Sequence, residues 1–139
     1  IGIGQIESFK SKVALFNTLQ ELDFELPYFI SPHAYVSPHA KIGKGSIVMH
    51  GAIINSKATI GCNTIINSNA LVEHNTIVED HCHISTGSIL NGGVKVCSKS
   101  FVGSGSIITQ NVIVGKECFV GASSFITKNI SNGKKFIGQ

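Results

Sequence analysis

The 139-residue chain contains no tryptophan and no arginine, and charged residues make up only 14% of it. Eleven lysines against eight carboxylates leave a net charge of +3. That is too mild for a nucleic-acid binder, and no basic run interleaved with aromatics supports one. No apolar stretch is long enough to cross a membrane, so membrane insertion is not expected. Aromatics reach just 7%, so the core must be built from aliphatic and small side chains. Four cysteines are present without any Cys-x-x-Cys spacing. They read as reduced thiols of a cytoplasmic protein rather than as a disulfide framework.

What the chain has instead is a period of six. From Ile30 a branched aliphatic residue recurs at every sixth position through Val36, Ile42, Val48 and onward to Ile126, seventeen times without a slip. Four residues after each of the first sixteen comes a small or slim one, among them Ala34, Ser46, Ala58, Ala70, Cys82, Ser88, Ser106 and Cys118. A fixed six-residue period is the signature of a parallel β-helix. In each repeat the small residue and the following aliphatic lie two apart, on one face of a short strand. The residues between, such as Ser68-Asn69 and Gly92-Gly93, are turn formers. Three strands make a triangular coil of 18 residues, and residues 30–130 give nearly six coils. The small residue is needed where three walls converge on a narrow axis, because a Leu there would overpack it. Cys82 and Cys118 fall in that inward slot, Cys62 at a corner and Cys97 on an outer edge.

Residues 1–29 are different material. Ile6, Phe9, Val13, Phe16 and Leu19 recur at helical spacing, and Phe24-Glu25-Leu26-Pro27-Tyr28 leads in extended form to the repeats. Ile1-Gly2-Ile3-Gly4 reads as a strand end and tight turn, since the full phosphate-loop fingerprint is missing. The segment resembles the tail of a βαβ unit, and with no Met at position 1 the chain is expected to be part of a longer protein. From Ser131 the repeat is expected to fade into a polar exit, Asn132-Gly133-Lys134-Lys135.

Positions 18 apart stack, so the outward faces can be written down. One carries Tyr35, Ile53, Leu71, Ile89, Ile107 and Phe125. A second carries Ile47, Ile65, His83, Phe101 and Phe119. The third, with Lys41, Thr59, Ile77, Lys95 and Ile113, is mixed. Two apolar outer faces on so small a domain call for burial against partners, which a closed cyclic oligomer provides.

Of six histidines, His33, His39 and His50 read as solvent-facing corner residues, and His81 as a turn residue. His74 occupies a corner with Gly92 one coil above it and Ser56 one below, while His83 points outward from the opposite face. The two cannot meet within one prism but can across a subunit interface. A histidine in an apolar cleft can serve as a general base, and Gly92 offers bare backbone whose N–H can bind an oxyanion. The competing reading is a pair of satisfied interface histidines.

The run Ile66-Asn67-Ser68-Asn69-Ala70-Leu71-Val72-Glu73-His74, followed nine residues later by His83-Ile84-Ser85, resembles the hexapeptide-repeat sugar-nucleotide acetyltransferases of bacterial glycan synthesis. The bacillosamine-pathway N-acetyltransferases and sialic acid O-acetyltransferases belong to that group. The resemblance implies a left-handed parallel β-helix, a triangular prism packed as a homotrimer, for residues 30–139. It implies that 1–29 end an α/β domain that binds the sugar nucleotide. By the same resemblance His74 is the base, and His83, Gly92, Ser104 and Ala122 contact acetyl-CoA as co-substrate, with no metal. The family's acidic residue after the base is Asn75 here, which can fix the ring tautomer but lends no charge. The implied reaction is acetyl transfer to an amine of a nucleotide-activated sugar. The alternatives are O-acetylation of a sialic-acid-type sugar and a non-catalytic trimerising scaffold. A carbonic anhydrase built on the same coil needs a His-x4-His zinc pair, and the spacings 33/39, 74/81 and 81/83 do not supply it.

Overall fold

A computed structural model describes residue 4 and residues 8–138. The helical position of Ile6 and, Gly4 apart, the strand end and turn of the first four residues lie outside the described residues. Seventeen two-residue strands recur every six residues from Phe29–Ile30 to Phe125–Ile126. They stack into three parallel sheets, each strand pairing with the one 18 residues away, as in Ile65↔His83↔Phe101 and Ile53↔Leu71↔Ile89. This is the left-handed β-helix of about six coils. The first sheet carries His83 and Phe101, the second Leu71 and Ile89, the third Ile77 and Lys95.

The inward aliphatics form one continuous core from Val48 to Ile126. The small inward residues do a second job when they are polar. Ser46, Ser88, Ser100 and Ser106 donate their hydroxyls to the carbonyls of Gly61, Gly103, Gly115 and Gly121, each 15 residues on. The Cys82 thiol does the same toward the Cys97 carbonyl at 3.2 Å, and its burial pushes the thiol up to about 12. A buried hydroxyl is tolerated because its hydrogen bond is made. At each corner one residue takes a left-handed conformation, every sixth position from Gly45 to Ser123, and Gly and Asn hold most of these because they reach it at least cost.

The two ends depart from the repeat. A helix, Lys10–Glu21, lies along the edge leading into the first sheet. Twelve residues without a side-chain cap make a marginal helix in isolation, so its docking matters. Phe16 is buried, 4% exposed, with its ring edge-on to His81 at 5.4 Å. Lys12, four residues earlier on the same side, is also buried and donates to the Cys82 carbonyl at 3.0 Å. Val13 and Leu19, expected on the packed face, are only half buried. The helical spacing of apolar residues could not reveal that a lysine anchors this helix.

At the other end the polar exit is not what forms. The corner after Ile126 is two residues short: Val114 bridges Ile130, and Phe119–Val120 pairs with a further strand, Lys135–Phe136. Each is a spacing of 16 rather than 18. Asn132 Oδ1 accepts the Lys116 N–H at 2.8 Å and holds the shortened turn.

The outward faces also differ from each other more than sequence suggests. Ile65, His83 and Phe101 on the first sheet are already buried within one chain. The second sheet keeps Tyr35, Ile53, Ile107 and Phe125 in the open, Tyr35 56% and Phe125 59% exposed, with Leu71 and Ile89 half buried between them.

Burial lowers Lys12 from 10.5 to about 8, against a smaller opposing effect of Cys82. The folded chain therefore releases this proton at lower pH than the unfolded chain, and stability gains as pH rises from about 8 to 10.5. Chemical denaturation at several pH values should show wild-type stability rising relative to Lys12→Met across that window. A difference that stays flat would mean that Lys12 is not desolvated in the fold.

Candidate active site

The corner after Leu71–Val72 carries Glu73, His74 and Asn75. Asn75 takes φ +58°, which turns its amide back onto the ring: Asn75 Nδ2 lies 2.9 Å from His74 Nδ1. Glu73 does not touch that ring. Its Oε2 accepts the His74 backbone N–H at 3.2 Å and the Asn55 amide at 3.0 Å, pinning the corner instead. The imidazole is exposed, and it rests on Gly92 in the coil above. A Cβ at Gly92 would fall 2.8 Å from both Cε1 and Nε2 of His74, so only glycine leaves room for the ring.

The Gly92 amide is one of several corner N–H groups that no acceptor claims among the described residues, as at His50, Ser56, Thr86 and Ser104; what sets it apart is the imidazole lying against it. At five corners a side chain claims the corresponding N–H: Asn67 takes that of Ser68, Glu73 that of His74, Asp80 that of Cys62, Glu79 that of Ser98, and Asn132 that of Lys116. Asn91 stands where such a cap would come from, but its amide donates to the Ile108 carbonyl at 2.9 Å. No acceptor takes the Gly92 N–H among the described residues. An unclaimed backbone donor next to an imidazole is the arrangement needed to polarise a carbonyl while a proton is removed nearby.

The second group lies along the edge between the first and second sheets. Asn67, His83, Ser85, Phe101, Gly103, Ser104, Phe119 and Ala122 line a groove of about 390 Å³. His83 is 7% exposed. Its Nε2 meets the Asn67 amide at 3.3 Å, and Phe101 stands edge-on to its ring at 5.4 Å. The Ser85 and Ser104 hydroxyls are 2.9 Å apart. An apolar channel with a few placed polar groups suits a long, mostly apolar arm with internal amides.

So His83, Ser104 and Ala122 share one groove, and His74, Asn75 and Gly92 share one corner. The two clusters sit on different edges of the prism, with the second sheet between them. Sequence reasoning missed Asn67, Ser85, Phe101 and Phe119 as groove residues, although the 18-residue column through Asn67, Ser85 and Gly103 would have found part of the lining. His33, His39 and His50 are exposed corner residues as expected. His81 is a corner residue but not a solvated one: it is bonded to Asn63 at 2.9 Å and lies against Phe16, and burial lowers its pKa. No group of three or more His, Cys, Asp or Glu able to hold a metal occurs among the described residues. Among the described residues no helix is long and apolar enough to cross a membrane.

Comparison with known proteins bears on the coil as a whole. The bacterial transferase hexapeptide (six repeats) matches residues 57–92. The hexapeptide repeat of succinyl-transferase matches 75–110 and 111–133. No curated protein matches the sequence. Among solved structures, the acetyltransferase domain of PglB from Neisseria gonorrhoeae superposes with a TM-score of 0.91 at 31% identity, over 94% of this chain and 63% of that one; one of its structures is a complex with acetyl coenzyme A. PerB from Caulobacter crescentus, in complex with CoA and GDP-perosamine, gives 0.88 at 32% identity over 91% and 61%. WeeI from Acinetobacter baumannii gives 0.79 at 20% identity over 94% and 64%, a likeness of fold. The chain spans less than two thirds of the length of each.

Gly92→Ala should push the His74 ring off its backbone support while leaving the coil folded. The expected result is a displaced His74 ring resonance by NMR at an unchanged melting temperature. An unmoved resonance would mean that the ring does not rest on Gly92.

Proposed function

The chain belongs to the hexapeptide-repeat bacterial transferases, and we propose that it is the acetyl-CoA-using part of an enzyme that acetylates an amine of a nucleotide-activated sugar. The observation that carries this reading is the His74 imidazole resting on Gly92, whose N–H meets no acceptor among the described residues. The PglB and PerB likenesses support it, because the one is a complex with acetyl coenzyme A and the other with CoA and GDP-perosamine.

In this reading the thioester lies with its carbonyl oxygen toward the Gly92 N–H and its pantetheine arm in the groove of His83, Ser104 and Ala122. The neutral amine attacks the thioester carbon, and a C–N bond forms as the oxygen takes up negative charge. His74 Nε2 removes the proton from the nitrogen. The C–S bond breaks, and the departing CoA thiolate takes up that proton. Base function at Nε2 needs the other proton on Nδ1. Rotation of the Asn75 amide presents Oδ1 at the same place and accepts it. Asn75 thus orients the ring without adding charge.

Because the two clusters lie on different edges, the complete site requires two subunits. A homotrimer with the exposed second sheet packed inward would bury Tyr35 and Phe125 and bring one chain's His74 corner to its neighbour's His83 groove. Residues 1–29 then belong to a sugar-nucleotide-binding portion, and 30–139 to the acyl-transfer portion, of a cytoplasmic enzyme.

His74→Ala is expected to lower kcat by ~10²–10⁴-fold, the usual worth of a general base, while calorimetric affinity for acetyl-CoA persists. Near wild-type turnover would remove His74 from the chemistry. His83→Ala should act instead on the KM for acetyl-CoA. An unchanged KM would leave His83 a packing residue, and absence of any acetyl-CoA binding to the wild type would leave the coil a scaffold.

A further inference from the structure

The first sheet carries a graded column above His83. His83, Phe101, Phe119 and Lys135 follow one another in adjacent strands, paired residue to residue. Phe101 and Phe119 stack at 5.1 Å with 15° between their planes. Lys135 Nζ stands 5.9 Å from the Phe119 ring centre. Neighbouring strands are ~4.8 Å apart, so three steps cover roughly 14 Å. The column is thus an imidazole at the foot, aromatic surface in the middle and a cation at the head. An extended pantetheine arm has the matching order and reach: thioester, largely apolar chain, then diphosphate.

The lysine stands there because of the shortened last corner. A regular 18-residue step from Phe119 would have placed Ile137 over that ring. The 16-residue step places Lys135 there, seats Phe136 over Val120, and leaves Ile137 78% exposed. The ion pairs among the described residues join Lys95 to Glu79 and Lys99 to Glu117, so no carboxylate of the described residues pairs with Lys135. Lys128 and Lys134 line the hollow of about 400 Å³ at this same end of the prism and add to the positive field.

We infer that Lys135 recognises the diphosphate of coenzyme A and so makes the enzyme select CoA thioesters over bare pantetheine thioesters. This rests on the acetyl-CoA reading above. A lysine binds phosphate as a point charge, through charge-assisted hydrogen bonds, and its contribution weakens with salt.

The test uses Lys135→Met, which keeps an apolar stem over Phe119 and removes the charge, with acetyl-CoA and S-acetylpantetheine as paired acyl donors. The variant should raise the KM for acetyl-CoA about tenfold, leave kcat unchanged, and leave the KM for S-acetylpantetheine where it was. Lys135→Arg, which keeps the charge, should stay near the wild-type KM. Equal weakening of both donors would make Lys135 a packing residue, and an unchanged KM for acetyl-CoA would remove it from recognition; either result overturns the inference. Calorimetry of wild type with CoA separates the two levels: no heat overturns the acetyl-CoA reading and this inference with it, whereas wild-type binding that Lys135→Met retains in full overturns this inference alone.

Discussion

Three short walls meeting on a narrow axis leave space for one small and one aliphatic side chain per strand, and no more. Every coil must repeat that pair at the same place, or the walls move apart and the core of Val48 to Ile126 is broken. Dense packing makes such a core intolerant of added volume. The constraint reaches past the apolar residues. Ser46, Ser88, Ser100, Ser106 and Cys82 can occupy the inward slot because each finds a carbonyl 15 residues on. Hydroxyl, thiol and methyl are interchangeable there because each is small, and because the donors are satisfied.

With the interior so closely prescribed, chemistry is left to the corners and to the outward strand positions. The corners differ in what claims their backbone N–H. Five of them use a side chain for that purpose and others leave it open; at Gly92, Asn91 turns its amide to the Ile108 carbonyl and leaves the N–H uncapped. The His74 ring then lies over a backbone donor, and the missing Cβ of Gly92 is what admits it. The geometry also separates tasks. His83 and the rest of the groove are placed by the first sheet and its edge, His74 by the next edge, and the exposed apolar second sheet runs between them. A prism of this kind carries its two clusters on separate edges.

The ends of the coil obey other rules. The helix is held by Phe16 and by a lysine whose head group reaches the carbonyl of the inward Cys82. The last corner drops two residues, which slides the chain by one full pleat repeat without changing face and brings Lys135, rather than an isoleucine, over Phe119. Repetition ends where the identity of single residues begins to matter most.

Much of this was legible beforehand. A period of six with a small residue four places after each aliphatic dictates the coil, its 18-residue stacking, the outward faces and the position of Gly92 directly above His74, because each of these follows from counting along a regular repeat. The helix's existence was legible from Phe9, Phe16 and Leu19, and the candidate roles of His74, Asn75, His83, Ser104 and Ala122 came with the resemblance of the run around Glu73-His74. Counting could not supply what depends on where flexible side chains go. Only the tertiary structure decided that Lys12 is buried, that His81 lies under Phe16, that Asn91 abandons its neighbour's N–H, and that the final coil closes two residues early. The physical reason is that the repeat constrains the backbone and the inward atoms, whereas long polar side chains choose among partners that only the assembled coils bring within reach.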